Sequence, residues 1–312
     1  MYEKDLVSIV IINYNQQEYL PTCLDSLINQ TYKNIEIIIA DDGSTDNSRK
    51  ILLDYSHKDE RVKPYFKENT GISDTRNFGL SKVKGEYFMF VDSDDWVNTK
   101  MVETLHNLII KDKVDCAVCG FTVKYKYFNL YRKAPSNKII NNIEALDLIM
   151  DDSAINNYPW GKLFKTSLFT YEFHVGYNFF EDVETIYKYF IHTNNVACTS
   201  KRLYYYRQHL GSATSKMNNS LTEKMYNSFK NQADYLNEQV DNHTFDPSLN
   251  YWRTNFMIIR NMLKMDNDKF NNSYLYKYNR KSVNPFFNFL LDASCLILKI
   301  KHLNLKKKMY KD

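Results

Sequence analysis

The chain has 312 residues, 44% of them hydrophobic, with 25 Tyr and 19 Phe against only 8 Gly and 6 Pro. That composition supports a substantial packed core and excludes a largely disordered or low-complexity chain. The formal charge of +4 is concentrated at the end: residues 299–312 carry six Lys and one Asp, the rest carries 35 basic and 36 acidic residues, and no body-wide nucleic-acid footprint remains.

Residues 7–12 form a continuous run, apolar apart from Ser8, as in a strand covered on both faces. Asn15 and Glu18 have the spacing of a capping box before a helix whose Leu20, Leu24 and Leu27 share one stripe. Residues 35–40 read as a second strand, turned by Asp41-Asp42-Gly43-Ser44. A helix over 48–57, a strand over 61–66, a helix over 73–83 and a strand over 86–91 follow. This β-α alternation predicts an open, mostly parallel sheet with helices on both faces. Ligands in such sheets gather beyond the carboxyl ends of the strands. Three polar clusters fall there: Asn13-Tyr14-Asn15, Asp41 to Asp46, and Asp92 to Asp95.

Farther on, the pattern predicts a helix over 98–111, strands over 114–119 and 121–130, and a helix over 142–150. Glu181-Asp182 leads into another helix within 179–191, and an aromatic strand covers 202–207. From about residue 221 the pattern is helical, so the expected division is 1–218 and 219–312. Five cysteines form no paired framework, and the single C-x-x-C, Cys116 to Cys119, lacks the second pair a zinc site needs. Buried thiols in a reducing cytosol are the expectation. The first residues lack a signal-peptide core, and no run reaches the length of a membrane span, which points to a cytoplasmic protein.

The strongest chemical signal is Asp92-Ser93-Asp94-Asp95, which follows an apolar strand directly. Clustered carboxylates repel unless a cation or hydrogen-bond donors compensate them. Oxygen ligands suit Mg²⁺ or Mn²⁺, ions that commonly bridge one or two carboxylates and a substrate's phosphates. A plain turn or helix cap is the competing reading. Asp42 could accept from a base or ribose, or simply shape its turn. Tyr14 could stack on a planar base, and Arg76 could neutralise a diphosphate or form an ordinary salt bridge. Glu181 and Asp182, beside an apolar wall, could hold a general base or serve as first-turn acids of a helix. His209 could be a metal ligand or a structural histidine.

Together these residues resemble glycosyltransferase family 2, the inverting enzymes of the GT-A fold, over about residues 5–215. The resemblance runs through Val7-Ser8-Ile9-Val10-Ile11-Ile12-Asn13-Tyr14-Asn15, Leu24-Asp25-Ser26-Leu27-Ile28-Asn29-Gln30-Thr31-Tyr32 and Ala40-Asp41-Asp42-Gly43-Ser44-Thr45-Asp46. It continues through Asn69-Thr70-Gly71, Arg76-Asn77, Gly85-Glu86-Tyr87, Asp92-Ser93-Asp94-Asp95-Trp96, Trp160-Gly161-Lys162-Leu163-Phe164 and Glu181-Asp182-Val183. It implies a Rossmann-like, mixed, mostly parallel sheet flanked by helices, with a helical C-terminal extension. It implies that Asp42, Asn15, Tyr14 and the backbone near Ile12 hold the nucleotide, with Arg76 near the diphosphate. Asp92 and Ser93 would sit at the ribose side, and Asp94, with Asp92, would bind Mn²⁺ or Mg²⁺. Asp182 would be the catalytic base with Glu181 beside it, and Trp160 would line the sugar or acceptor pocket. Arg207, His209 and Ser212 resemble a loop closing over the diphosphate, with His209 a further metal ligand. A nucleotide sugar, a UDP-sugar by preference, would be the donor of a hexosyl or N-acetylhexosaminyl group. The acceptor would be a glycan, a lipid-linked saccharide or a glycoprotein, in bacterial surface-glycan assembly.

The last hundred residues follow the family poorly. Apolar residues within 285–305 run into the lysine cluster, and such a basic amphipathic segment, 285–311, suits an anionic inner leaflet. A homodimer contact through C-terminal helices is the alternative. Two other functions compete: a haloacid-dehalogenase-like phosphatase, whose D-x-D motif Trp96 disrupts, and a non-catalytic nucleotide-sugar binder. A dinucleotide-dependent dehydrogenase fails because Asn13-Tyr14-Asn15 stands where a glycine-rich turn belongs.

Overall fold

A computed structural model describes residues 2–151, 154–169, 171–175, 180–209 and 219–245. The chain divides into two compact units, Met1–Ser212 and Ala213–Asp312. In the second, helix Asn219–Gln239 is followed by a turn in which the Asn237 amide clasps both backbone groups of Phe245. The basic segment 285–311 and its expected membrane or dimer contact lie outside the described residues.

The first unit is one ten-stranded sheet with helices packed on it. Its parallel half is β1 (Glu3–Asn13), β2 (Ile35–Asp41), β3 (Val62–Phe66) and β4 (Gly85–Asp92), in the order β3-β2-β1-β4. β1 and β2 lie inside the sheet, which is why residues 6–11 and 35–40 are buried and, apart from the hydrogen-bonded Ser8 and Glu36, apolar on both faces. Helices α1 (Leu20–Ile28), α2 (Ser48–Lys58) and α3 (Ile72–Leu80) are the crossovers between these strands. Leu20, Leu24 and Leu27 of α1 are fully buried, as their spacing predicts.

The sheet continues past β4 through antiparallel and parallel pairings, so it is mixed, as expected. β5 (Trp96–Val97), α4 (Met101–Asp112), β6 (Cys116–Lys124), β7 (Asn129–Arg132), β8 (Ile139–Asn141), α5 (Asn142–Met150), β9 (Lys162–Lys165), α6 (Ile186–Ile191) and β10 (Asn195–Arg207) complete it. β9 runs antiparallel between β4 and β6, and β10 runs parallel to β6. This places β10, late in the chain, beside the residues that follow β4.

Several local expectations are corrected. Asn15 and Glu18 form no capping box: α1 starts after Tyr19 with no side-chain cap and with Pro21 in its first turn. Asn15 instead takes a left-handed backbone (φ 53°), which asparagine tolerates. Its side-chain oxygen accepts from Thr45 N at 2.8 Å and Asp46 N at 3.3 Å, tying the first strand-end loop to the second. The run 121–130 is not one strand but a hairpin, β6 turning into β7. Glu181 and Asp182 lead into α6 through a turn, as expected. The four described cysteines are free and buried, as expected.

Candidate active site

The ends of β1, β2 and β4 bring their polar clusters together. At the second end, Asp41 accepts from Asn13 Nδ2 at 2.7 Å and from the Ser44 hydroxyl at 2.6 Å, which shapes the turn. Asp42 is buried and accepts from Lys67 Nζ at 2.8 Å, Thr70 N at 2.9 Å and Gly71 N at 3.1 Å. Burial pushes its pKa up, but Lys67, Thr70 and Thr75 outweigh that and hold it below the usual carboxylate range. Asp42 thus fastens the loop before α3 to β2. Gly71 sits at φ 97°, a backbone that favours glycine. Tyr14 stands 48% exposed with its ring open to a ligand, and Ile12 pairs with Asp92 across the strands.

After β4, Asp92, Asp94 and Asp95 each present a carboxylate oxygen within 4.8 Å of the others. Their environments differ. Asp95 is fully buried and accepts from the Tyr204 hydroxyl and from Arg207 N, both at 2.7 Å. Burial, then the charges of Asp94 and Asp92, push its carboxyl well above the usual range. It acts as the rivet between the Asp-rich turn and β10, a larger role than the turn cap its sequence suggests. Asp95→Ala strands the Tyr204 hydroxyl and Arg207 N–H, at about 1–3 kcal/mol for each buried unsatisfied group. A lowered Tm and a raised donor KM are expected together; an unchanged Tm would remove the rivet role.

Asp94 is more open, and His209 Nε2 lies 3.0 Å from its Oδ2. The His209 ring leans on Tyr19 at 4.5 Å. Arg207 Nε donates to the Asp94 carbonyl at 2.8 Å, and its guanidinium lies between the rings of Tyr19 and Trp96, at 4.8 Å and 4.5 Å. Ser93 is buried under the turn. Ser212 lies outside the described residues.

Behind Asp92 is a charged centre. Arg76 of α3 is only 4% exposed; it hydrogen-bonds Glu181 and lies 3.9 Å from Asp92. Its Nε is buried without a hydrogen-bond partner. Burial lowers the guanidinium pKa, but Glu181, Asp92 and Asp182 outweigh it and raise it. Burial also pushes Asp92 up to about 7; Arg76 and a hydrogen bond from Trp160 oppose that rise, while Asp94 and Glu181 add to it. Asp182 is likewise pushed up to about 7, by burial and then by Glu181, against Arg76. The residue before this pair, Phe180, sits at φ 65°, a strained backbone for an aromatic residue.

Of the two readings of Arg76, diphosphate partner or salt bridge, the ion pairs with Glu181 and Asp92 are what the structure displays, with the arginine buried rather than exposed. Trp160 was expected to line a pocket; it is 3% exposed, stacked on Tyr204 at 4.2 Å, and forms the floor beneath Asp92. Two contributors were missed. Tyr204, fully buried, donates to Asp95 and accepts from Asp92 N at 3.1 Å. Tyr19 packs against both Arg207 and His209. The alternation in the aromatic strand 202–207 was the available signal for Tyr204, because a buried Tyr hydroxyl needs a partner.

A mixed sheet with carboxylates grouped at the end of β4 is the arrangement of a GT-A fold. The fold matches the crystal structure of S. aureus TarS 1-349 with a TM-score of 0.66 over 85% of this chain and 76% of that one, at 21% identity. TarS 1-349 has also been solved with UDP-GlcNAc. The family model for glycosyl transferase family 2 matches residues 8–170. The glycosyltransferase GlyG of Streptococcus pneumoniae is 33% identical over 67% of this chain and 72% of its own length. GlyA of the same species is 34% identical over 72% of this chain, which spans only 34% of GlyA. The chain belongs to glycosyltransferase family 2 and is a glycosyltransferase; the phosphatase and non-catalytic readings are set aside.

Proposed function

We propose that this chain is a metal-dependent inverting transferase that moves a sugar from a UDP-sugar to a hydroxyl of a glycan, lipid-linked or glycoprotein acceptor in surface-glycan assembly. One observation carries the reading. The Asp92, Asp94 and Asp95 cluster, with His209 on Asp94, is linked to the Asp182 carboxyl by one arginine, Arg76, whose charge acts on both Asp92 and Asp182.

The donor set fits Mn²⁺ or Mg²⁺: hard carboxylate oxygens crowded at a strand end, whose mutual repulsion a cation relieves. Asp94 would be the principal ligand, with Asp92 and His209 beside it. A bound divalent ion supplies Lewis-acid stabilisation of the departing diphosphate. The residues of the chain supply the rest. Tyr14 offers a ring face to the base, and the backbone near Ile12, anchored through Asn15 and Asp42, offers it polar groups. Arg76 sets a positive potential behind Asp92 on the diphosphate side. Asp182 removes the proton of the acceptor hydroxyl as that oxygen attacks the anomeric carbon, opposite the leaving nucleoside diphosphate. Glu181 keeps the Asp182 carboxyl basic by its charge and anchors Arg76.

UDP as the nucleotude class is supported by the TarS neighbour, which has been captured with UDP-GlcNAc. Buried free thiols are compatible with work in a reducing cytoplasm. Among the described residues no helix is long and apolar enough to cross a membrane. Peripheral contact with the inner leaflet, or a homodimer, rests on the sequence pattern of 285–311.

The test is protection of the full chain against thermal unfolding by a panel of nucleotide sugars, with and without Mn²⁺ or Mg²⁺. At least one UDP-sugar should raise Tm only when metal is present, and Asp94→Ala should abolish that gain. Nucleoside diphosphate release should fall about 100-fold or more in that variant, the effect of losing several kcal/mol of charge stabilisation. Full release by Asp94→Ala, or equal release in EDTA, overturns the metal assignment.

A further inference from the structure

The β6–β7 hairpin carries the most exposed aromatic group among the described residues: Tyr127 is 85% exposed, Tyr131 59% and Phe128 55%. Exposed apolar groups that cluster mark an interaction surface more than isolated ones do. Tyr125 and Phe128 stack at 4.4 Å, so the tip offers flat ring faces. The ribbon is also cationic. No Asp or Glu occurs from Cys116 to Ile143, while Lys124, Lys126, Arg132, Lys133 and Lys138 do.

A line of ring contacts, cation contacts and strand-register neighbours runs from this hairpin to the turn that carries the carboxylates. Arg202 lies 4.5 Å over Tyr131. Tyr131 is registered opposite Thr122, and Thr122 opposite Tyr205. Tyr205 stacks on Trp96 at 5.3 Å, and Arg207 covers Trp96. Arg207 also contacts the Asp94 carbonyl, so the row ends at the proposed transfer centre.

Ring faces suit the apolar C–H faces of sugar rings, and cations suit phosphate or carboxylate groups. We propose that the hairpin and this row form the acceptor track, a binding surface for an anionic glycan. Sugar rings would stack on Tyr127, Phe128 and Tyr131, with acidic groups at Lys126 and Lys133. A lipid surface is the weaker occupant: the exposed apolar groups at the tip are mostly rings rather than aliphatic chains, and the row leads into the site. The proposal rests on the transferase reading and adds the chemical class of its acceptor.

Affinity electrophoresis of the full chain tests it, in gels containing poly(glycerol phosphate), polygalacturonate or neutral dextran, beside co-sedimentation with phosphatidylglycerol vesicles. Retardation by one or both anionic polymers, and less by dextran, is expected; the polymer that retards assigns phosphate or carboxylate. The triple variant Tyr127→Ser, Phe128→Ser, Tyr131→Ser should weaken retardation about tenfold or more, a loss of at least about 1.4 kcal/mol. The double variant Lys126→Ser, Lys133→Ser should weaken it as well. Both should keep native donor protection against unfolding and native donor hydrolysis, since these side chains are exposed and are none of the groups assigned to the donor or the metal. No retardation by either anionic polymer, equal retardation by dextran, retardation unchanged in both variants, or binding to vesicles alone overturns the track. Absence of donor protection in the native chain strikes at the transferase reading instead, so the two failures are distinguishable.

Discussion

Asp182→Asn is expected to lower turnover by about 10²- to 10⁴-fold, the usual worth of a positioned general base, while leaving donor protection intact. The carboxamide has nearly the same shape but cannot take a proton. The pH profile carries the sharper signature. Burial and Glu181 push Asp182 up to about 7, and the base must be ionised to act. Native turnover should therefore rise as pH rises through about 7. The charges of Glu181 and Asp92 act on Asp182, so the position of that limb belongs to the coupled carboxyls. The residual rate of the variant should lose most of the limb.

Stability should move the other way. A carboxyl with a raised native pKa holds a proton that the unfolded chain, with a pKa of about 4, releases. This lowers stability as pH rises from about 4 through about 7, and the cost is complete above that. Asp182→Asn removes it, so the Tm of the variant should exceed native at pH 8, with the gain shrinking towards pH 5. A variant that melts lower at pH 8, or turns over at the native rate, would rule out Asp182 as the strained base. Such an exchange of stability for activity is common at active sites.

Arg76→Met should have the largest effect on stability. It removes the partner of a buried carboxylate, and breaking a buried pair from one side costs about 3–5 kcal/mol. Glu181 is 5% exposed and loses its guanidinium. Asp92 and Asp182 lose the positive charge that opposes their upward shifts, so both pKa values should climb further. The acid limb of the rate profile should then move to higher pH, alongside a lower Tm. Adding Glu181→Gln should restore part of the Tm, because the uncompensated charge is gone. If Arg76→Met melts like the native chain, the arginine is not the electrostatic centre of the site.

The two halves of this description were unequally legible. Alternating apolar runs and stripes specified the parallel half of the sheet, since strand and helix periods differ and each element had only its own pattern to satisfy. Helix limits were less legible: the 98–111 helix begins at Met101 and the 73–83 helix ends at Leu80. Asn15 shows why a local rule failed. Its spacing from Glu18 satisfied a capping pattern, yet the side chain found better partners thirty residues away in Thr45 and Asp46.

By itself, the amino-acid sequence determined the β-α alternation, the strand-end position of the polar clusters, and hence a nucleotide-binding edge carrying carboxylates. Those are consequences of short-range periodicity and of the rule that such sheets bind ligands at their carboxyl ends. Only the tertiary structure decided what each charged group faces. Arg76 meets Glu181 across 105 residues, His209 meets Asp94 across 115, and Tyr204 meets Asp95 across 109. These partners are chosen by how β10 and the 180–182 turn meet the residues that end and follow β4, and pKa follows from that burial and company. Residue type announced a site; packing separated an anchor, Asp95, from a ligand candidate, Asp94, and a candidate base, Asp182.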